Sequence, residues 1–134
     1  MNESRKKYTF EFEFHDSKLF EINVLKQSLE FIFDRAVLLV LDKKNEMVDG
    51  EDHMIPARLK VNNPSYKSLP KPGILFDGEV SVGSLDVLTT LPIDFRCGEP
   101  CTLVIHEASG KHTVQGSSIE LFVDLSALPR HLCT

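Results

Sequence analysis

The chain has 134 residues, 42% of them hydrophobic and 26% charged, with a net charge of −5, the size and make-up of one globular domain with a core of its own. That acidity argues against a nucleic-acid partner, because such binding rests on Lys and Arg neutralising phosphates. The one basic cluster, Arg5-Lys6-Lys7, is short. The N-terminus lacks the apolar core of a secretory signal, and the longest unbroken apolar run, Ala36 to Leu41, falls far below a membrane span. Cys97, Cys101 and Cys133 make an odd number of cysteines, which suits free thiols in a reducing compartment. A cytoplasmic protein with no membrane partner is expected.

Taken in order, Tyr8 to Phe14 alternates aromatic with polar residues at every step, the pattern of a half-buried strand with four rings on one face. The polar triplet His15-Asp16-Ser17 separates it from a second alternation of Phe20, Ile22 and Val24. The next run, Leu29, Phe31 and Phe33, has the spacing to pair Val24 with Leu29, Ile22 with Phe31 and Phe20 with Phe33 in a hairpin. Residues 28–41 also place apolar residues at helical spacing, with Ser28 as a possible cap. β-branched and aromatic content and the hairpin pairing favour strand. As a strand, Ala36 to Leu41 has no polar side, so it is expected to be central and covered on both faces, either within the chain or by a second copy in a homodimer.

Asp42 to His53 reads as an exposed polar loop that does not match a calcium loop, since Met47 stands where glycine is needed. Ile55, Ala57, Leu59 and Val61 alternate as a strand. Asn62 to Gly73 holds three prolines and reads as an irregular surface segment with Tyr66 as a possible contact residue. Ile74 to Val82 returns to strand through Asp77-Gly78, a bulge or a turn. Leu85 to Leu88 is a weak strand, and Leu91, Ile93 and Phe95 alternate again. Cys101 to Leu125 closes the chain as two or three antiparallel strands. There an even-numbered loop pairing Glu107 with His112 and Ile105 with Val114 gathers the apolar side chains on one face, with His106 and His112 on opposite faces, both exposed.

These elements predict a single all-β domain over residues 1–134, an antiparallel sandwich or partly closed barrel of about nine strands. Its core is expected to include Phe10, Phe12, Phe14, Ile22, Phe31, Phe33, Leu103, Ile105, Ile119, Leu121 and Val123.

Reactive constellations are sparse. His15-Asp16-Ser17 has the side chains of a hydrolytic triad, but neighbours along a strand face opposite ways, and a triad needs groups converging from separate elements. Such residues more often bond the backbone at a turn. Cys97, Cys101, His131 and Cys133 lack the usual zinc-knuckle spacing, so no metal or cofactor is expected. No nucleophile elbow, zinc-protease helix, phosphate loop or dinucleotide glycine pattern is present.

Phe14-His15-Asp16-Ser17, the successive strands, and Leu75-Phe76-Asp77-Gly78 ahead of the closing hairpin resemble a family of small uncharacterised bacterial all-β proteins with a Phe-His-Asp-Ser motif near the start. That resemblance implies a bacterial source and a β fold and brings no catalytic role with it. The function expected from the residues is a non-catalytic binding or assembly module of the bacterial cytoplasm. The alternative is a small-molecule-binding barrel or an unrecognised hydrolase with its site at His15, Asp16 and Ser17. Tyr66 is the other candidate binding residue.

Overall fold

Two long strands, β1 (Thr9–Val24) and β2 (Ser28–Leu41), run antiparallel as a hairpin and form the backbone of the first of two sheets. The computed structural model describes residues 8–48, 53–83, 86–129 and 132. Among them the further strands are β3 (His53–Asn62), β4 (Ser65–Tyr66), β5 (Gly73–Ile74), β6 (Asp77–Val82), β7 (Asp86–Leu88), β8 (Thr90–Pro92), β9 (Arg96–Cys97), β10 (Cys101–Glu107), β11 (Gly110–Gly116) and β12 (Ser118–Val123). The first sheet has the order β5-β1-β2-β3-β12-β9, with β8 also paired to β1; the second has the order β4-β11-β10-β6-β7. All pairings are antiparallel and neither sheet closes on itself, so the expected all-β class holds in its sandwich form. Strands number twelve among the described residues rather than about nine, because two-residue pieces such as β4, β5 and β9 hydrogen-bond at sheet margins without leaving an alternation to read. No helix among the described residues is long and apolar enough to cross a membrane.

Residues 28–41 are strand, as their β-branched content favoured. β2 lies between β1 and β3, so it is central, as a run without a polar side demands. Most of its apolar residues are covered within the chain, with Ile32 and Leu39 partly exposed. Phe31, Phe33 and Ala36 join the main core between the sheets, whereas Leu38 and Val40 join Ile55, Leu128 and Leu132 in a second cluster. The C-terminal segment, through a 3-10 turn at Leu125–Ala127, thus supplies cover for this part of β2 from within the chain, one of the two expected sources. The main core combines Phe12, Phe14, Leu19, Leu29, Phe31, Phe33 and Leu59 from the first sheet with Val80, Leu103, Ile105 and Val114 from the second. Phe12 packs edge-on against both Phe14 and Phe33, with ring centroids 4.8 and 5.2 Å apart, the arrangement favoured by aromatic quadrupoles. Of the expected core, Phe10, Ile22 and Val123 are only partly buried at its margins.

Three expectations about local geometry are corrected. First, Thr9–Val24 is one strand and not two: His15, Asp16 and Ser17 sit in an irregularity inside β1. Second, Phe20 does not pair with Phe33. Leu19 takes that place, and Phe20 stands exposed as an extra residue between Leu19 and Glu21. Third, the closing hairpin pairs Glu107 with Gly110, Ile105 with His112 and Leu103 with Val114, so its loop is Ala108-Ser109 alone. The loop is even, as burial required, but two residues shorter than expected. Gly110 makes this possible by taking φ 132°, a conformation that side chains disfavour. The chain then leaves this sheet at Gly116-Ser117, and β12 joins the first sheet beside β3.

The close fit of Gly78 against β1 yields a test. A Cβ built on Gly78 lies 2.6 Å from the Phe14 ring, whereas one on Gly98 meets nothing within 4 Å. Overpacking of this kind costs about 1–3 kcal/mol. Gly78→Ala is expected to lower stability by that amount in urea unfolding, with Gly98→Ala within about 0.5 kcal/mol of wild type. Equal losses in both variants would refute the close-approach argument.

Candidate functional site

Among the described residues, two groupings of polar side chains include a histidine with a carboxylate and a serine: the irregularity in β1, which the sequence marked, and the tip of the β10–β11 hairpin, which it did not.

In β1, Glu13 pairs with Val37 and Lys18 with Arg35, so four residues, Phe14 to Ser17, stand opposite Ala36 alone. Asp16 accommodates the detour by taking a left-handed φ of 68°, which Asp tolerates better than most residues. The detour leaves the Val37 amide without a strand partner, and Ser17 supplies one. Its hydroxyl accepts from Val37 N at 2.8 Å and donates to Glu13 O at 2.6 Å. Ser17 is 0% exposed. It therefore holds the backbone and does not reach the surface, where the sequence placed it as a binding residue.

The same detour carries the chain onto the segment before β6. Asp16 N donates to Leu75 O, Leu75 N donates to Ser17 O, and the His15 ring bonds Phe76 O through Nδ1 at 2.6 Å. The Phe-His-Asp-Ser and Leu-Phe-Asp-Gly segments are thus in direct contact, and this joint ties the two sheets together. His15 and Asp16 are exposed, with Nε2 3.4 Å from the Asp16 carboxylate. The Phe76 carbonyl, then the Asp16 carboxylate, raise the His15 pKa above its ordinary 6.5. Both ring nitrogens thus face acceptors inside the chain, which suits a positioning role better than proton transfer to an outside group.

At the hairpin tip the side chains converge from three segments. Glu107 ends β10, His112 lies in β11, and Ser68 lies in the proline-rich segment after β4. Glu107 is 6% and His112 8% exposed, so His112 is buried and not exposed as its place near a turn had suggested; His106 is half-buried on the opposite face. His112 Nε2 is 2.9 Å from Glu107 Oε1, and His112 Nδ1 is 2.8 Å from Ser68 Oγ. Glu107 also accepts from the Ser109 hydroxyl, from Ser109 N at 2.9 Å and from Lys71 N at 3.3 Å. Burial by itself pushes the Glu107 carboxyl up, but the hydrogen bonds from Ser109, His112 and Lys71 outweigh it and hold the group below its ordinary 4.5. This cluster escaped sequence reading because its members are 44 residues apart or separated by a turn whose loop length was two residues off. The only signal was the Glu107/His112 pairing considered for the hairpin.

The cluster adjoins a surface groove of about 500 Å³ lined by Ser65, Tyr66, Lys67, Ser68, Lys111, Thr113 and Gln115. A neighbouring groove of about 460 Å³ shares Ser65 and Gln115 and extends over Thr102 and Ser81. Tyr66, a residue the sequence put forward, lines the first groove, three strands away from the β6 margin where His15 lies. The structure therefore separates the sequence's binding candidates into two places. Among the described residues no group of three His, Cys, Asp or Glu side chains is placed to hold a metal; Cys101 is buried, which pushes its thiol pKa up, while His131 and Cys133 lie outside the described residues. Compared with known proteins, the chain matches no family model, no curated protein and no solved structure.

Two outcomes follow. Ser17→Ala leaves the buried Val37 amide without an acceptor, which costs about 1–3 kcal/mol, so chemical denaturation should show a loss of that size, with His15→Ala close to wild type. A silent Ser17→Ala would remove the hydroxyl bridge from the account of the fold. The depressed Glu107 carboxyl contributes stability that is complete above the ordinary carboxylate value of 4.5 and is lost as pH falls through the lower folded value. The fall in stability between pH 7 and acid should accordingly be smaller in Glu107→Gln than in wild type. Parallel pH profiles would show that the carboxylate is not responsible.

Proposed function

We propose that this protein is a binding module of the cytoplasm, and that its contact surface, argued from geometry, is the outer face of the second sheet. One observation carries the reading: register places Ser65, Gln115, Thr102 and Ser81 side by side across β4, β11, β10 and β6. The whole row of short polar side chains lines one groove, and its Ser65 and Gln115 continue into the adjoining one; both volumes fall within the usual range for ligand sites. The space between the sheets, by contrast, is packed with side chains such as Phe12, Phe14, Phe31 and Phe33 that have almost no exposure, which supports a surface site over a barrel-like interior one. The lining offers hydroxyls, a carboxamide and two ammonium groups, so the ligand is a small polar molecule held by hydrogen bonds.

A second reading, assembly with a protein partner or another copy, is supported by a separate feature. Phe20 and Ile74 stand exposed where β1 meets β5, with Phe76 exposed two residues on, and exposed large apolar side chains grouped in this way favour protein contact.

Thermal shift with a panel of small carboxylates, phosphate esters and sugars tests the first reading. A ligand at ten or more times its Kd is expected to raise the melting temperature by a few degrees, because binding to the folded state must stabilise it. Thr113→Arg, which fills the groove, should abolish the response, and His15→Ala should leave it intact. The reverse pattern would move the site to the β1 detour. Light scattering on wild type and Phe20→Lys tests the second reading: a monomer at high micromolar concentration counts against self-assembly.

A further inference from the structure

We propose that Glu107, His112 and Ser68 form a relay that makes Ser68 a nucleophile toward small acyl esters bearing a negative charge. The inference rests on the groove being a ligand site and adds a reaction to it. Its starting point is the tautomer of His112. Glu107 is held ionised at neutral pH and is an acceptor only, so the His112 nitrogen facing it at 2.9 Å must carry the proton. A neutral imidazole has one N–H, which leaves Nδ1 bare, and the group 2.8 Å from Nδ1 is the Ser68 hydroxyl. Of the two neutral tautomers, the environment therefore selects the one that can remove a proton from serine, with the carboxylate behind it to hold the imidazolium that results.

Accessibility points the same way. Glu107 and His112 are both more than nine-tenths buried, and Ser68 is the one member of the three that lines the groove. Ser109 does not compete for the role: its hydroxyl donates to Glu107, and the imidazole nitrogen it approaches is the protonated one. At the β1 detour, by contrast, both nitrogens of His15 face acceptors and Ser17 is buried, so that triplet cannot work in this way. Lys67 and Lys111 line the groove and no carboxylate does. In a chain of net charge −5 this is a local cationic site, which favours an anionic acyl group and the negative charge that develops on a carbonyl oxygen under attack.

The step balances. Ser68 Oγ bonds to the acyl carbon as its proton passes to Nδ1, and the carbonyl pair moves onto oxygen. When that pair returns, the bond to the alcohol oxygen breaks and the proton on Nδ1 goes to the leaving alcohol. Water then attacks acyl-Ser68 by the same route, giving a carboxylic acid and free serine, with no change of oxidation state.

The test uses the full chain with a fluorophosphonate probe, peptide mapping by mass spectrometry, and p-nitrophenyl acetate against p-nitrophenyl hemisuccinate. One probe per chain at Ser68 is expected, with hydrolysis of the hemisuccinate about tenfold faster than of the acetate. Ser68→Ala should abolish labelling, and Glu107→Gln should slow both reactions by about 10²-fold or more, as general-base assistance commonly contributes. Ser68→Cys guards against a misfolded variant: beside His112 the new thiol should alkylate with a pKa below the ordinary value of about 8.5. If the thiol of Ser68→Cys titrates normally and wild type takes no probe, the relay is overturned. Amide shifts at Lys111 and Thr113 on adding succinate, without labelling, would overturn the relay while leaving the groove as a binding site; no shifts and no labelling would remove both. A purely structural cluster would lower the melting temperature in Glu107→Gln with no labelling in wild type, which also overturns the proposal.

Discussion

The hydroxyl of Ser17 is the point on which the arrangement of β1 turns. Residues Phe14 to Ser17 stand opposite a single residue of β2, and a detour of that size in a strand of the first sheet strips the ladder of a partner for Val37. One buried hydroxyl, accepting from Val37 N and donating to Glu13 O, closes the gap. With the gap closed, β1 continues to Val24 without a break, and its sixteen residues extend over roughly 50 Å. A strand of that length spans more than one patch of core.

The detour also decides how the sheets meet. It moves the inward phase of β1 from the even positions Phe12 and Phe14 to Leu19, and β2 shifts from Phe31 and Phe33 to Ala36, Leu38 and Val40 at its own irregularity. The inward rows on both sides of the irregularities therefore stay buried, which a continuous alternation would not allow. The protruding backbone bonds Leu75, and the His15 ring bonds the Phe76 carbonyl. Gly78 then lets β6 approach Phe14 at a distance that no side chain would permit. Two segments that looked like separate motifs are two sides of one joint.

At the tip of the β10–β11 hairpin the chain does something different with its polar groups. Glu107 and His112 are buried together at a hairpin tip, where a buried ionised group is tolerable only with several donors around it. Ser109, His112 and the Lys71 amide provide them. Partners chosen to satisfy the carboxylate fix the tautomer of His112, and that in turn decides how Ser68 presents itself to the groove. The burial of the carboxylate and the reactivity proposed for Ser68 rest here on the same set of hydrogen bonds, whereas at Ser17 the hydrogen bonds serve the backbone alone.

The sequence by itself determined the class of fold, much of the core and the centrality of β2, because alternation and apolar run length are local records of which faces are buried. It also determined the pairing of Val24 with Leu29 and Ile22 with Phe31, where hairpin spacing and burial agree. The phase change between Phe14 and Leu19 was legible in principle, but the apolar Phe20 continued the earlier alternation and masked it. Only the tertiary structure decided which polar residues meet. His15, Asp16 and Ser17 are neighbours along the chain, yet the detour sends two outward and one inward. Ser68 and His112 are 44 residues apart and meet because β4 pairs with β11. A side chain's partners across strands depend on register, and register depends on turn lengths and bulges that change by a single residue without altering the hydrophobic pattern that sequence reading follows.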